Sequence, residues 1–254
     1  MKFKVLIAVF LLLSGSVFSQ INNETPKAKE ERMAWWTEAR FGMFIHWGLY
    51  ALPARHEWVM SKEQISKTDY EKYVDYFDPD LYNPNEWAKL AKAAGMKYVV
   101  FTAKHHDGFC MFDSKYTDYK VTNAPIGRDL LKELVDAFRG QGIRVGLYYS
   151  LIDWHHPDFT VKDPIHPERN NKKALAEDKN RNNKRFQKYL KNQLTEILTN
   201  YGQIDALFAD FSYGHRKNGK GKDYWDSEGL YKLIRKLQPQ IIINDRLDLE
   251  KEGG

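Results

Sequence analysis

The sequence predicts an α/β fold of the (β/α)8 TIM-barrel type, incomplete, with about five βα units present. Three observations lead there. Five short apolar runs recur along the chain, nearly unbroken by polar residues, as in strands covered on both faces. Amphipathic helical patterns separate most of them, so strand and helix alternate as in a parallel sheet. No glycine-rich phosphate loop follows the first run, which disfavours an open nucleotide-binding sheet.

The elements follow in order. Residues 1–19 read as a signal peptide: Lys2 and Lys4 precede an apolar stretch over 5–13, and Val17 and Ser19 offer small residues before a cut at Gln20. The apolar stretch is too short to span a bilayer. Export to the periplasm or the extracellular space is therefore expected, with no membrane attachment after cleavage. Residues 20–34 form a polar linker, of which 20–32 also read as a frayed helix start. A short helix over 33–40 carries Trp35 and Trp36, and the main domain runs over 35–254. Residues 41–46 are the first strand. A long connection over 49–80 holds Pro53, Glu57, Trp58 and several tyrosines, and connections of that length inside a domain tend to be functional. Apolar residues Trp87, Leu90, Ala91 and Ala94 have helical spacing, with Gly95 as the stop. Strands are expected over 97–103, 144–150, 205–209 and 240–244. Helices are expected over 129–138, with Asp129 near its start, over 180–201 and over 228–237. The charged, Asn-rich stretch 163–183 reads as a solvated excursion before the long helix.

Composition narrows the function. Aromatic residues make up 14% of the 254, too much apolar surface for a disordered chain. The net charge of +5 comes from interleaved signs, with no basic stripe, and losing Lys2 and Lys4 would remove two of those charges. No nucleic-acid partner is expected. The single cysteine, Cys110, forms no intramolecular disulfide, so the fold does not depend on one.

In a barrel the chemistry lies at the C-terminal ends of the strands. Each of the five runs ends on ionisable, amide or aromatic groups: His46 and Trp47; Lys104, His105, His106 and Asp107; Tyr148, Tyr149 and Ser150, then Asp153 and Trp154; Asp210; and Asn244, Asp245 and Arg246. These types suit a sugar, with aromatic faces for its C–H surface, donors for its hydroxyls and a carboxylate as nucleophile or base. A metal reading rests on His105-His106-Asp107 with His155 and His156. Adjacent histidines on a strand point to opposite faces, so only one of His105 and His106 easily joins a cluster without a bend. No His-x-His pattern stands on an early strand, and no metal or cofactor is expected. His155 and His156 read as structural.

Phe41-Gly-Met-Phe-Ile-His-Trp-Gly48, Tyr98-Val-Val-Phe-Thr-Ala-Lys-His-His-Asp-Gly-Phe109 and Gly146-Leu-Tyr-Tyr-Ser150 with Asp153-Trp154 resemble signature segments of glycoside hydrolase family 29, the α-L-fucosidases. The segment 128–139 resembles the family as well. The resemblance implies an exo-acting, retaining hydrolase that removes terminal α-L-fucose from fucosylated glycans. It implies Asp210 as nucleophile, and His46, His105 and His106 as partners of the fucose hydroxyls. Glu57 and Trp58 match a loop that closes on the sugar, Tyr148 a tyrosine near the anomeric centre, and Arg246 an arginine of an Asn-Asp-Arg segment. Tyr149 is the alternative to Tyr148, since strand alternation lets one of the pair face the site.

The chain departs from the family pattern after that segment. The family's general acid/base is a glutamate well beyond it, followed by further barrel strands. The expectation is an N-terminal part of the catalytic domain, truncated before the last strands, lacking its acid/base and inactive alone. Glu250 and Glu252 are poor substitutes in a polar tail. The alternative is a non-catalytic fucose-binding remnant.

Overall fold

The computed structural model describes residues 24–215 and 217–249. The signal-peptide reading of 1–19, and Glu250 and Glu252, lie outside the described residues. Five strands, β1 (Gly42–Ile45), β2 (Tyr98–Lys104), β3 (Arg144–Ser150), β4 (Ala206–Asp210) and β5 (Ile242–Ile243), form one sheet. They pair in sequence order and all in parallel. The fold is thus of the expected type, an arc of a (β/α) barrel with five strands.

Curvature is read from the ring contacts. Four flat strands would set β1 and β4 about 14 Å apart. Yet Phe44 of β1 and Phe208 of β4 have ring centroids 5.9 Å apart, and both meet Tyr148 of β3. The sheet therefore curls so that these side chains converge on its concave face.

Alternation assigns the faces. Val99, Phe101 and Ala103 of β2, Val145, Leu147 and Tyr149 of β3, and Leu207 and Ala209 of β4 are buried on the convex face. They belong to one apolar core with Leu130, Leu134 and Phe138 and with Leu190, Leu194 and Ile197. Phe44, by contrast, is 45% exposed on the concave face.

Five longer helices serve this sheet: α1 (Pro26–Ala39), α2 (Pro84–Ala93), α3 (Leu130–Gly140), α4 (Asn183–Thr199) and α5 (Ser227–Leu237). Residues 26–32 are the opening turns of α1, continuous with the helix expected after them. Thr25 caps it, accepting from the Ala28 amide, and Pro26 fits the first turn, where no intrahelical partner for its nitrogen is needed. Trp35 and Trp36 of α1 close the bottom of the sheet against Tyr98, and Arg144 lies over Trp35. Gly42 is required there, because a Cβ would sit 2.4 Å from the Tyr98 ring. Asn83, Asp129 and Asn182 cap α2, α3 and α4 through their side chains.

The 163–183 stretch differs from the expectation of a solvated excursion. Asp163 and His166 are 2% and 1% exposed. Side-chain acceptors tie the loop: Asp163 accepts from the Ile165 amide, His166 Nδ1 from the Glu168 amide, and Asp178 from the Val161 amide and the Thr160 hydroxyl. Ser61 in the 49–80 connection donates to Ile165 O at 2.5 Å, so the two long connections pack on each other.

Candidate active site

The C-terminal ends of β1 to β4 and the turn after β5 bring one group of side chains together. His46 follows β1, and its Nδ1 lies 2.8 Å from the Tyr50 hydroxyl. Asp210 ends β4. Tyr148 donates to Asp210 Oδ2 at 2.6 Å, and Arg246, on the turn after β5, pairs with Oδ1. His106 Nε2 lies 3.8 Å from Oδ2. His105 lies edge-on to His46 at 4.9 Å and parallel to Tyr148 at 5.7 Å. Trp58 reaches the same place from the long connection, 5.6 Å from His106 and 5.5 Å from Phe211 between ring centroids.

Both adjacent histidines join the cluster, which strand alternation allows only with a bend. The pairing of β2 with β3 shifts register between Thr102 and Lys104, and β2 ends at Lys104. His105 and His106 therefore lie beyond the pleat, with rings 4.2 Å apart. The tyrosine alternative is also resolved. Tyr148 faces Asp210, whereas Tyr149 points to the convex side, where its hydroxyl donates to Gln193 and meets Lys104 Nζ. Glu57 stands at the rim, 43% exposed and 3.2 Å from His56 Nδ1, and its charge is felt at His46.

Electrostatics keep the histidines neutral. Burial pushes His106 down to about 3, with Asp210 opposing it. Burial lowers His105 well below its usual range, and the neighbouring His106 and His46 add to that. Burial also lowers His46, against the pull of Glu57 and Asp210. Burial, then the Asp210 charge, raises the Tyr148 phenol well above its normal value, so it stays protonated and donates.

Behind the site lies a buried ion pair. Lys104 Nζ is 3.1 Å from Asp153 Oδ2, with both side chains almost fully buried. Asp153 also accepts from the Tyr189 hydroxyl and from the amides of His155 and His156. Burial alone would raise Asp153, but Lys104 and both histidines hold it below its usual value. The loop it fixes delivers the Trp154 amide to His106 O at 2.8 Å. Gly108 packs against this pair at φ +84°, where a Cβ would come within 2.2 Å of Asp153 Oδ1.

Three contributors were not singled out from the sequence. Tyr50 holds His46, and its spacing in a loop carries no signal. Ser150, which the sequence marks only as a strand-end residue, contacts His106 Nδ1 at 2.7 Å. Phe211 follows Asp210 with φ +82°, a region non-glycine residues seldom adopt, and packs on His106 at 4.8 Å. His155 stacks on Tyr119 and His156 packs on Tyr189, away from the cluster. Among the described residues no group of three or more His, Cys, Asp or Glu could hold a metal ion.

The arrangement sets one carboxylate, held by two donors, among three neutral imidazoles and several aromatic faces. A family model described as alpha-L-fucosidase matches residues 16–254. Human plasma alpha-L-fucosidase is 31% identical over 247 residues, covering 87% of this chain and 48% of that protein. Alpha-L-fucosidase isoenzyme 1 of Paenibacillus thiaminolyticus superposes with a TM-score of 0.80 at 54% identity, covering 86% of this chain and 51% of that one. A Bacteroides thetaiotaomicron alpha-L-fucosidase, described as a trapped covalent intermediate with 2-fluoro-fucosyl fluoride, superposes with a TM-score of 0.73 at 34% identity, covering 86% and 49%. The chain spans about half the length of the curated relatives first matched.

Proposed function

Because the chain belongs to the α-L-fucosidase family of glycoside hydrolases, we propose that it builds the fucose-holding part of an exo-acting, retaining hydrolase, with Asp210 as nucleophile. The observation that carries this is Asp210 itself, at the end of β4 and clamped through both oxygens by Tyr148 and Arg246. A carboxylate held that way presents a fixed lone pair to an anomeric carbon. In the first step a bond forms from Asp210 to that carbon while the glycosidic C–O bond breaks; the leaving oxygen departs as the anion when it is a 4-nitrophenolate and otherwise takes its proton from water. Water then cleaves the glycosyl ester with retention. The covalent intermediate described for the Bacteroides relative supports this course. None of the described residues is assigned as the acid that protonates the leaving group.

His46, His105 and His106 bind hydroxyls in this reading. His105 Nδ1 supports it, being a buried atom with no hydrogen-bond partner among the described residues. Trp58 stacks on the sugar's apolar face, Glu57 closes the rim, and Arg246 steadies the nucleophile. The substrate is a glycan with terminal fucose. Export by way of residues 1–19 belongs to the same reading.

The test separates binding from turnover. Calorimetry with L-fucose and hydrolysis of 4-nitrophenyl α-L-fucoside are measured on the chain and on Asp210→Ala. The variant should lose turnover by roughly three orders of magnitude or more, and the first product should be the α-anomer. A wild-type rate in the variant, or an inverted product, overturns the assignment. A second reading, binding without turnover, is favoured by one fact. None of the side chains described in contact with Asp210 or its three histidines is a second carboxylate. Fucose binding with no hydrolysis would establish it.

A further inference from the structure

We propose that Ser150 is a positioning residue that sets the tautomer of His106, holding the ring proton on Nδ1 and leaving Nε2 as a hydrogen-bond acceptor toward the substrate. The inference rests on the proposed sugar site for its consequence, though not for its geometry.

The available protons fix the tautomer. Ser150 Oγ lies 2.7 Å from Ile152 O, and a carbonyl can only accept, so the hydroxyl proton points there. Ser150 Oγ also lies 2.7 Å from His106 Nδ1. With its own proton committed, the hydroxyl can only accept from the ring, so Nδ1 carries the hydrogen. Ser150 is fully buried and His106 is 1% exposed, so bulk water does not compete. Burial keeps the ring neutral, which leaves Nε2 bare. The backbone holds both partners in place: the Leu151 amide donates to Asp210 O at 2.9 Å, and the Trp154 amide to His106 O at 2.8 Å.

The other contacts agree. A separation of 3.8 Å between His106 Nε2 and Asp210 Oδ2 is too long for a hydrogen bond and suits two lone pairs. Asp210 takes its donors from Tyr148 and Arg246 instead. A sugar hydroxyl lodged at Nε2 must therefore donate, and the site reads a donor at that position. A fluorine there cannot donate and forgoes that hydrogen bond, as a bare hydrogen does.

The test is a long-range 15N–1H correlation spectrum of the full chain labelled at histidine, with His106 assigned by the signals lost in His106→Gln. A neutral ring protonated at Nδ1 at pH 7 is expected. Ser150→Ala should move part of the population to the Nε2–H form, and Ser150→Thr should restore the original pattern. L-fucose should bind Ser150→Ala roughly three- to tenfold more weakly, the loss of about one hydrogen bond. A wild-type ring protonated at Nε2, or at both nitrogens, overturns the proposal, as does an unchanged tautomer in a folded Ser150→Ala. Absence of fucose binding would count against the sugar reading alone, since the wild-type spectrum decides the tautomer by itself.

Discussion

Asp107 shows at single-residue scale how burial sets the pH response. Its carboxyl is buried and pushed up to about 7, against the pull of the Phe109 amide and the Tyr70 hydroxyl. A carboxyl whose folded pKa is raised favours folding while protonated, and that contribution is lost as pH rises from about 4 through about 7. Asp107→Asn imitates the protonated acid. Its unfolding free energy should match wild type near pH 4 and exceed it increasingly up to pH 7, by an amount on the order of a few kcal/mol. A difference that stays flat from pH 4 to 8 would remove Asp107 as the cause. Residue choices were legible only in part. The sequence left Tyr148 and Tyr149 open because alternation says that one faces the site without saying which; the register Tyr148↔Phe208 decides it. Alternation allowed His105 and His106 to join one cluster only with a bend, and the register shift that supplies it carries no mark in residue type.

At the scale of elements, the strands were legible because their apolar runs are unbroken, and β3 matches its expected bounds residue for residue. The helices capped by Asn83, Asp129 and Asn182 were legible to within a few residues, whereas the one capped by Thr25 begins seven residues before its expected start. Thr25, Asn83, Asp129 and Asn182 each cap one, yet only Asp129 stood out from the sequence. The short helical turns at Val59–Lys62 and Lys67–Glu71 left no periodic trace, since a single turn is too short to show one. The same holds for the turn at Gly108, which joins the end of β2 to the buried pair of Lys104 and Asp153. Gly108→Ala should be severe for two reasons, a strained φ and a Cβ driven into Asp153. A loss of about 2–4 kcal/mol in urea unfolding is expected, together with weakened fucose binding, because His106 hangs on that loop. Near-wild-type stability would mean the loop relaxes independently of the ion pair.

For the whole molecule, groups of opposite sign shape acid stability. Burial pushes His106 and His166 down to about 3 and lowers His105, so their contribution is complete above about 6.5 and fades as pH falls. Asp107 and Asp163, pushed up to about 7 and about 6, change stability in the opposite sense over the upper part of that range. Below about 4 the two raised carboxyls contribute no further gain. There Asp153, Asp158 and Asp178, all lowered, begin to lose their partners together with the histidines. The melting temperature should be nearly level from pH 7 to 5 and fall steeply below about 4. A steady decline beginning at pH 7 would show that the raised carboxyls do not offset the imidazoles.

The pairing of Asp210 with Arg246 has a consequence for the order of assembly. The curled sheet gathers side chains from position 46 to position 246, so nearly every contact in the cluster spans a long stretch of chain. Such contacts form late, after the loops between them have closed. Tyr148 can reach Asp210 once β3 and β4 pair, but Asp210 Oδ1 waits for the turn after β5. The doubly held Asp210 carboxylate is therefore among the last features to mature during folding, and partly folded forms would carry the three histidines before they carry that carboxylate in place.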